Sequence, residues 1–165
     1  MQNLKIIKYP NSILRKKCEE VKEITDEIKK FCQDMIEIMI LNHGVGLAAS
    51  QVGELKRIIA VCPIQEKEIK TPQIFINPKI TKKSKKTEID EEGCLSFPGL
   101  FLKIKRASEV EVEALDLEGK EVKIKANGYL ARIFQHEIDH LNGILFIDRI
   151  NFWQRLRLKL KLKVS

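Results

Sequence analysis

No stretch of about eighteen apolar residues occurs in the chain, so a helix that crosses a membrane is not expected. The first ten residues contain Lys5 and Lys8 but no apolar core and no small-residue cleavage site, which argues against a secretion signal. A cytoplasmic location is the expectation that follows. Cysteine is sparse and unpaired in pattern: Cys18, Cys32, Cys62 and Cys94 form no Cys-x-x-Cys motif. In a chain of 165 residues without a leader, reduced thiols are the stronger reading and a disulfide framework the weaker. Histidine is scarcer still, with three in all, and two of the three stand four positions apart. Internal repeats and low-complexity linkers are absent, so one domain over residues 1–165 is expected.

What is present is ordinary for a soluble globular protein: 44% hydrophobic and 32% charged residues. The net charge is +7, and the excess concentrates at Lys82, Lys83, Lys85 and Lys86 and in the tail 155–163. Such clusters are usually solvated faces, but they also attract polyanions. The tail alternates in strand period although its residues favour a helix, and helix is the expectation.

Residues 25–42 place Ile28, Phe31, Cys32, Met35, Ile38 and Met39 on one helical stripe. Thr25 suits the N-cap, Asp26 and Glu27 suit the positive end, and Gly44 suits the stop. His43 fits a helix C-terminus better than a metal. Cys32 in the helical pattern and Cys62 in a strand pattern read as buried hydrophobes. Residues 57–62 and 73–77 read as buried strands, stopped by Pro63 and Pro78. Residues 109–116 and 121–126 alternate around Glu118-Gly119, an antiparallel hairpin. From Asn127, a candidate N-cap, a second helix runs to Leu141 and closes on Asn142-Gly143. The expected class is α+β: antiparallel sheets packed around a central helix.

That second helix carries His136-Glu137-Ile138-Asp139-His140. Imidazoles four apart project from one helical face and can share a metal ion, with Glu137 beside them to move a proton. Two solvated surface histidines are the bland alternative. Hydrolytic metal sites usually have three protein ligands and one open position. Cys94, in Glu92-Gly93-Cys94-Leu95-Ser96, is the best candidate for the third. Cys, His and His suit Zn(II) or Fe(II); Ca(II) and Mg(II) prefer oxygen. A further segment, Gly44-Val45-Gly46-Leu47-Ala48-Ala49-Ser50-Gln51, has little side chain, so another backbone can approach it. The Gln51 amide could donate to an oxyanion. A phosphate loop is a weak rival here, for lack of Gly-Lys-Ser/Thr, and a plain packing turn is a stronger one.

In their order along the chain, the segments Gly44 to Gln51, Glu92 to Ser96 and Gln135 to His140 resemble the three signature motifs of peptide deformylases. The resemblance spans most of the chain. It implies a hydrolase that removes the N-formyl group from the N-terminal formylmethionine of nascent polypeptides. It implies Cys94, His136 and His140 as metal ligands, with Fe(II) native in many members and Zn(II), Ni(II) or Co(II) able to bind. It implies Glu137 as the proton carrier, with the Gln51 side chain and the Leu95 backbone N–H as oxyanion donors. An N-formylmethionyl peptide is then expected to lie as a strand beside Val45 and Gly46, with Tyr129, Ile133 and Val45 around the methionine side chain. Arg132 is expected to pack its stem and turn its guanidinium out of that pocket. Glu92 and Arg106 are expected to pair and orient His136. Asp139 is either part of that support or a surface charge. Phe101 stands where some members carry an arginine near the peptide path, so no such role is carried over. The basic tail is a candidate contact with ribosomal RNA. Rival readings are a general metallopeptidase, a non-enzymatic RNA-binding module and a metal-free relative.

Overall fold

The computed structural model describes residues 4–65, 68, 69, 71–151, 154, 155 and 158. Nine strands occur among them: β1 (Gly46–Ala48), β2 (Ile58–Val61), β3 (Ile64–Gln65), β4 (Glu68–Ile69), β5 (Gln73–Lys83), β6 (Thr87–Cys94), β7 (Phe97–Ala107), β8 (Glu109–Leu115) and β9 (Glu121–Asn127). Two α-helices frame the chain's middle, α1 (Asp26–Leu41) and α2 (Gly128–Leu141). One antiparallel sheet has the order β1-β2-β5-β8-β9, while β3-β4 and β6-β7 form separate two-stranded ribbons.

Strand periodicity explains how one sheet serves two helices. Ile59 and Val61 of β2 join Phe75, Val110, Val112 and Ala114 on one face, against Ala131, Phe134, Ile138 and Leu141 of α2. Ile58 and Ala60 point the other way, with Ile74 and Ile76, against Phe31, Cys32, Met35 and Met39 of α1. Alternating residues of one strand thus enter opposite cores. Full burial of a side chain such as Phe134 is worth about 2–3 kcal/mol. Phe134 also meets Phe75 edge-on, with centroids 5.0 Å apart.

Thr25 caps α1 as expected, accepting from the Ile28 N–H. The expected 109–126 hairpin forms, antiparallel, with Gly119 at positive φ in its turn. Two expectations need amendment, and a third is met where the chain is described. Pro78 does not end its strand: β5 continues to Lys83, because a register shift between Ile76 and Lys79 places the proline where no ladder bond is needed. Asn127 occupies the N-cap of α2 but its side chain makes no capping bond; its position ends β9. In the tail, Gln154, Arg155 and Leu158 have helical backbone, and the rest of 156–165 lies outside the described residues.

α2 is the pivot of the site. Its apolar face seats on the sheet, so its remaining faces, which carry Arg132, Gln135, His136, Glu137, Asp139 and His140, are turned toward other parts of the chain. All six are buried. Gln135 fixes part of that approach, since its amide exchanges two hydrogen bonds with the backbone of Ala107 at the end of β7.

Candidate metal centre

His136 and His140 stand one turn apart on α2 and meet edge-on, with ring centroids 5.0 Å apart. Cys94 reaches them from the end of β6. The β6-β7 register shifts between Gly93 and Cys94, where β7 carries the extra residues 98–100. Its Sγ lies 3.3 Å from Nε2 of His140. One sulfur and two nitrogens fall within 4.8 Å of one another. Zinc-ligand lengths of about 2.3 Å (S) and 2.05 Å (N) in a tetrahedron put sulfur and nitrogen about 3.6 Å apart, so the cluster is sized for one ion. The donor chemistry also fits a borderline-soft divalent metal.

The support behind His136 is a chain of charge. Nδ1 of His136 contacts Glu92 Oε2 at 2.9 Å, which leaves Nε2 for the centre. Arg106 forks onto Glu92, Nε to Oε1 at 2.9 Å and Nη2 to Oε2 at 3.0 Å. Its third nitrogen, Nη1, donates to Asp139 at 2.5 Å. Asp139 is therefore buried support, held on its other side by Arg149. Burial alone would raise the Glu92 pKa, but bonds from His136 and Arg106 outweigh it and hold the carboxyl well below its usual range. Burial works against a charged His136 too, yet bonds from Cys94 and Glu92 carry it to about 10. His140 goes the other way, kept neutral by burial and by its charged neighbour His136.

Arg132 departs from expectation. Its guanidinium does not escape to water; the residue is 5% exposed. It donates to Glu92 Oε1 at 2.8 Å, to the Ile104 carbonyl at 2.8 Å and to the Glu88 carbonyl at 3.0 Å. The cost of burying it is offset because every contact is charge-assisted. Arg132 thereby ties α2 to both strands of the ribbon that carries Cys94. Sequence reasoning missed this tie, since its three partners lie 28 to 44 positions away in the chain.

Glu137 is also buried, and burial pushes its carboxyl up to about 7. Its Oε2 has no hydrogen-bond partner among the described residues. Gly46 makes room for it: a Cβ there would stand 2.3 Å from Glu137 Oε1. Gln51 sits on the short 3-10 helix Ala49–Val52 that follows β1. Its Oε1 accepts from the Ala48 N–H at 2.9 Å, which turns Nε2 toward Cys94 Sγ at 3.5 Å and Ser96 Oγ at 3.2 Å. Leu95 follows Cys94 in the turn between β6 and β7. A cavity of about 480 Å³ opens onto the cluster, and Val45, Gly46, Tyr129 and Ile133 are among the residues that line it. Pro98, Gly99, Leu100 and Lys8 also line it and carried no recognisable sequence signal, while Phe101, noted for its place near the peptide path, lines it too. The exposed Phe101 ring packs over Gly93, where a Cβ would stand 2.6 Å from it. His43 follows α1 at positive φ, also on the cavity rim.

The polypeptide deformylase family model matches residues 3–156. The chain belongs to the polypeptide deformylase family. Among its relatives, a peptide deformylase of Thermodesulfovibrio yellowstonii is 46% identical over 165 residues, covering 100% of this chain and 99% of the relative. Peptide deformylase 1 of Clostridium perfringens is 51% identical over 138 residues, covering 84% of this chain and 91% of the other. The crystal structure of the Ehrlichia chaffeensis peptide deformylase in complex with actinonin is similar at a TM-score of 0.90 and 41% identity, covering 99% of this chain and 97% of that one. The deformylase fold is thus shared over nearly the whole length, and with it the α+β class.

Proposed function

We propose that this chain is a peptide deformylase, hydrolysing the N-formyl group of the N-terminal formylmethionine of nascent polypeptides and releasing formate. The observation that carries the reading is the convergence of Cys94, His136 and His140 beside a buried, unpartnered Glu137 carboxylate, in a chain that matches the family throughout.

Cys94 Sγ and the two imidazoles would hold one divalent ion, Fe(II) first among the candidates and Zn(II), Ni(II) or Co(II) behind it. When bound, such an ion acidifies water toward a pKa of about 7 and polarises a carbonyl. Glu137, with its own pKa near 7, is matched to accept a proton from the attacking water and return it to the departing methionine amine. Gln51 Nε2 and the Leu95 N–H are the donors to the oxyanion that forms as water adds to the formyl carbon. Water contributes its oxygen to formate, and its protons are divided between the amine and solvent.

The peptide binds as an added strand beside Val45 and Gly46. Among the described residues β1 pairs only with β2, and Gly46 at its start lines the cavity. Main-chain bonds of this kind ignore sequence and allow one enzyme to serve many proteins. Tyr129, Ile133 and Val45 form the wall for the methionine side chain. The basic tail gives a second contact, with ribosomal RNA, in the cytoplasm. Deleting 155–165 is expected to weaken ribosome binding with a steep salt dependence and to spare a free formyl peptide.

The deciding assay offers formyl-Met-Ala-Ser beside an unformylated internal peptide, with an anaerobically prepared, metal-analysed enzyme. Formate release from the first and no cut in the second are expected. Cleavage of the internal peptide would make the chain a general metallopeptidase instead.

A further inference from the structure

Residues 4–9 belong to no described helix or strand, yet they touch both places assigned to the oxyanion. The Ile7 N–H donates to the Gln51 carbonyl at 2.7 Å, and the Tyr9 N–H donates to the Ser96 carbonyl at 3.0 Å. Between them, the Lys8 ammonium donates to the Leu95 carbonyl at 2.6 Å. The Tyr9 ring stacks on Phe97 with centroids 4.7 Å apart, which anchors the far end of the segment. Gln51 follows β1 of the five-stranded sheet, whereas Leu95 and Ser96 join the strands of the β6-β7 ribbon. No strand pairing among the described residues joins these two sheets. The amino-terminal segment is therefore a strap whose three bonds add to the direct contact of Gln51 Nε2 with Ser96 Oγ, tying segments of two different sheets together.

We propose that Lys8 is a positioning residue for deformylation. Its ammonium holds the Leu95–Ser96 peptide, the unit that follows the one carrying the Leu95 N–H, while the flanking backbone bonds hold Gln51 and Ser96, so that the Leu95 N–H and Gln51 Nε2 meet one oxyanion. The inference rests on the reading of Gln51 and Leu95 as oxyanion donors. A charged donor is needed at this point because a bond to an ionised group is roughly twice as strong as a neutral one. A neutral side chain on the exposed strap would lose that carbonyl to water. Lys8 also lines the cavity, so its positive charge stands on the side where negative charge develops.

Because Lys8 is exposed, Lys8→Met leaves the core untouched and the protein folded with its metal content unchanged. The metal-loaded Lys8→Met and Lys8→Arg variants are compared with the parent in formate release from formyl-Met-Ala-Ser. For Lys8→Met, kcat is expected to fall by about tenfold, less than the 10²–10³ lost with an oxyanion donor itself, at nearly constant KM. Two equilibrium probes read the cause without turnover. One is Met-Ala-Ser, the product; the other is a peptide H-phosphonate, whose tetrahedral anion mimics the oxyanion. Lys8→Met should weaken the phosphonate by the same factor as kcat and leave the product unchanged, and Lys8→Arg should restore both. Equal weakening of both probes, an unchanged kcat or no rescue by arginine overturns the proposal. Gln51→Ala is run beside them. If it too leaves the phosphonate-to-product ratio unchanged, the oxyanion assignment falls and Lys8 falls with it. If Gln51→Ala shifts the ratio and Lys8→Met does not, only the role of Lys8 is refuted.

Discussion

Replacing Gly46 by alanine should disable the proton carrier without touching any residue that meets metal. The added Cβ would stand 2.3 Å from Glu137 Oε1, 2.8 Å from Cδ and 3.0 Å from Cγ. Van der Waals contact needs about 3.5 Å, so the carboxylate must retreat by about 1 Å. Glu137 is 4% exposed and cannot simply swing into water. Gly46 is not among the glycines at positive φ, so alanine suits its backbone and the effect is steric. A misplacement of about 1 Å at a reacting group costs about a hundredfold in rate, or close to 2.7 kcal/mol in the barrier. Steady-state formate release, with kcat and KM resolved separately and metal measured on the same sample, is the assay. A kcat near the parent value in Gly46→Ala protein that retains its metal would refute the assignment of proton transfer to Glu137.

Glu137→Gln keeps the shape and removes the base, so kcat should fall by about 10²–10⁴ while metal analysis stays unchanged. Glu92→Gln should weaken metal affinity by about 10–100-fold in a chelator competition, through loss of the bond that orients His136. Glu92 has its pKa depressed in the fold, so the stabilisation it gives is complete above its ordinary value of 4.5 and is lost as pH falls below that. The acid limb of Tm against pH should accordingly flatten in Glu92→Gln protein, and an unchanged limb would contradict the assignment. Burial drives the Cys32 thiol up to about 12, so iodoacetamide at pH 8 should spare it in the native protein and, once a chelator has removed metal, should label Cys94.

The parts of the site written locally were readable from sequence. His136, Glu137 and His140 lie within one turn and a half of helix, and α1 displays its stripe and its Thr25 cap in consecutive residues. The sheet order β1-β2-β5-β8-β9 was not readable, because nothing local says that β6 and β7 leave the sheet between β5 and β8. The path through Pro78 was hidden for a similar reason. Asn77 takes a positive φ and its amide exchanges two 2.8 Å bonds with the Val21 backbone, a contact made only in the folded chain. Arg132 looked like a charge to be expelled because its compensating partners, the Glu92 carboxylate and two ribbon carbonyls, come from 28 to 44 positions away. The Cys94 ligand was inferred by chemistry, yet it stands at a register shift that sequence does not announce.

The brevity of β1 has a bearing on throughput. An edge of three residues can grip an incoming chain over its first few peptide units and no further. On the proposed binding mode a short grip lets go quickly, which suits a site that takes only the first residues of each new polypeptide.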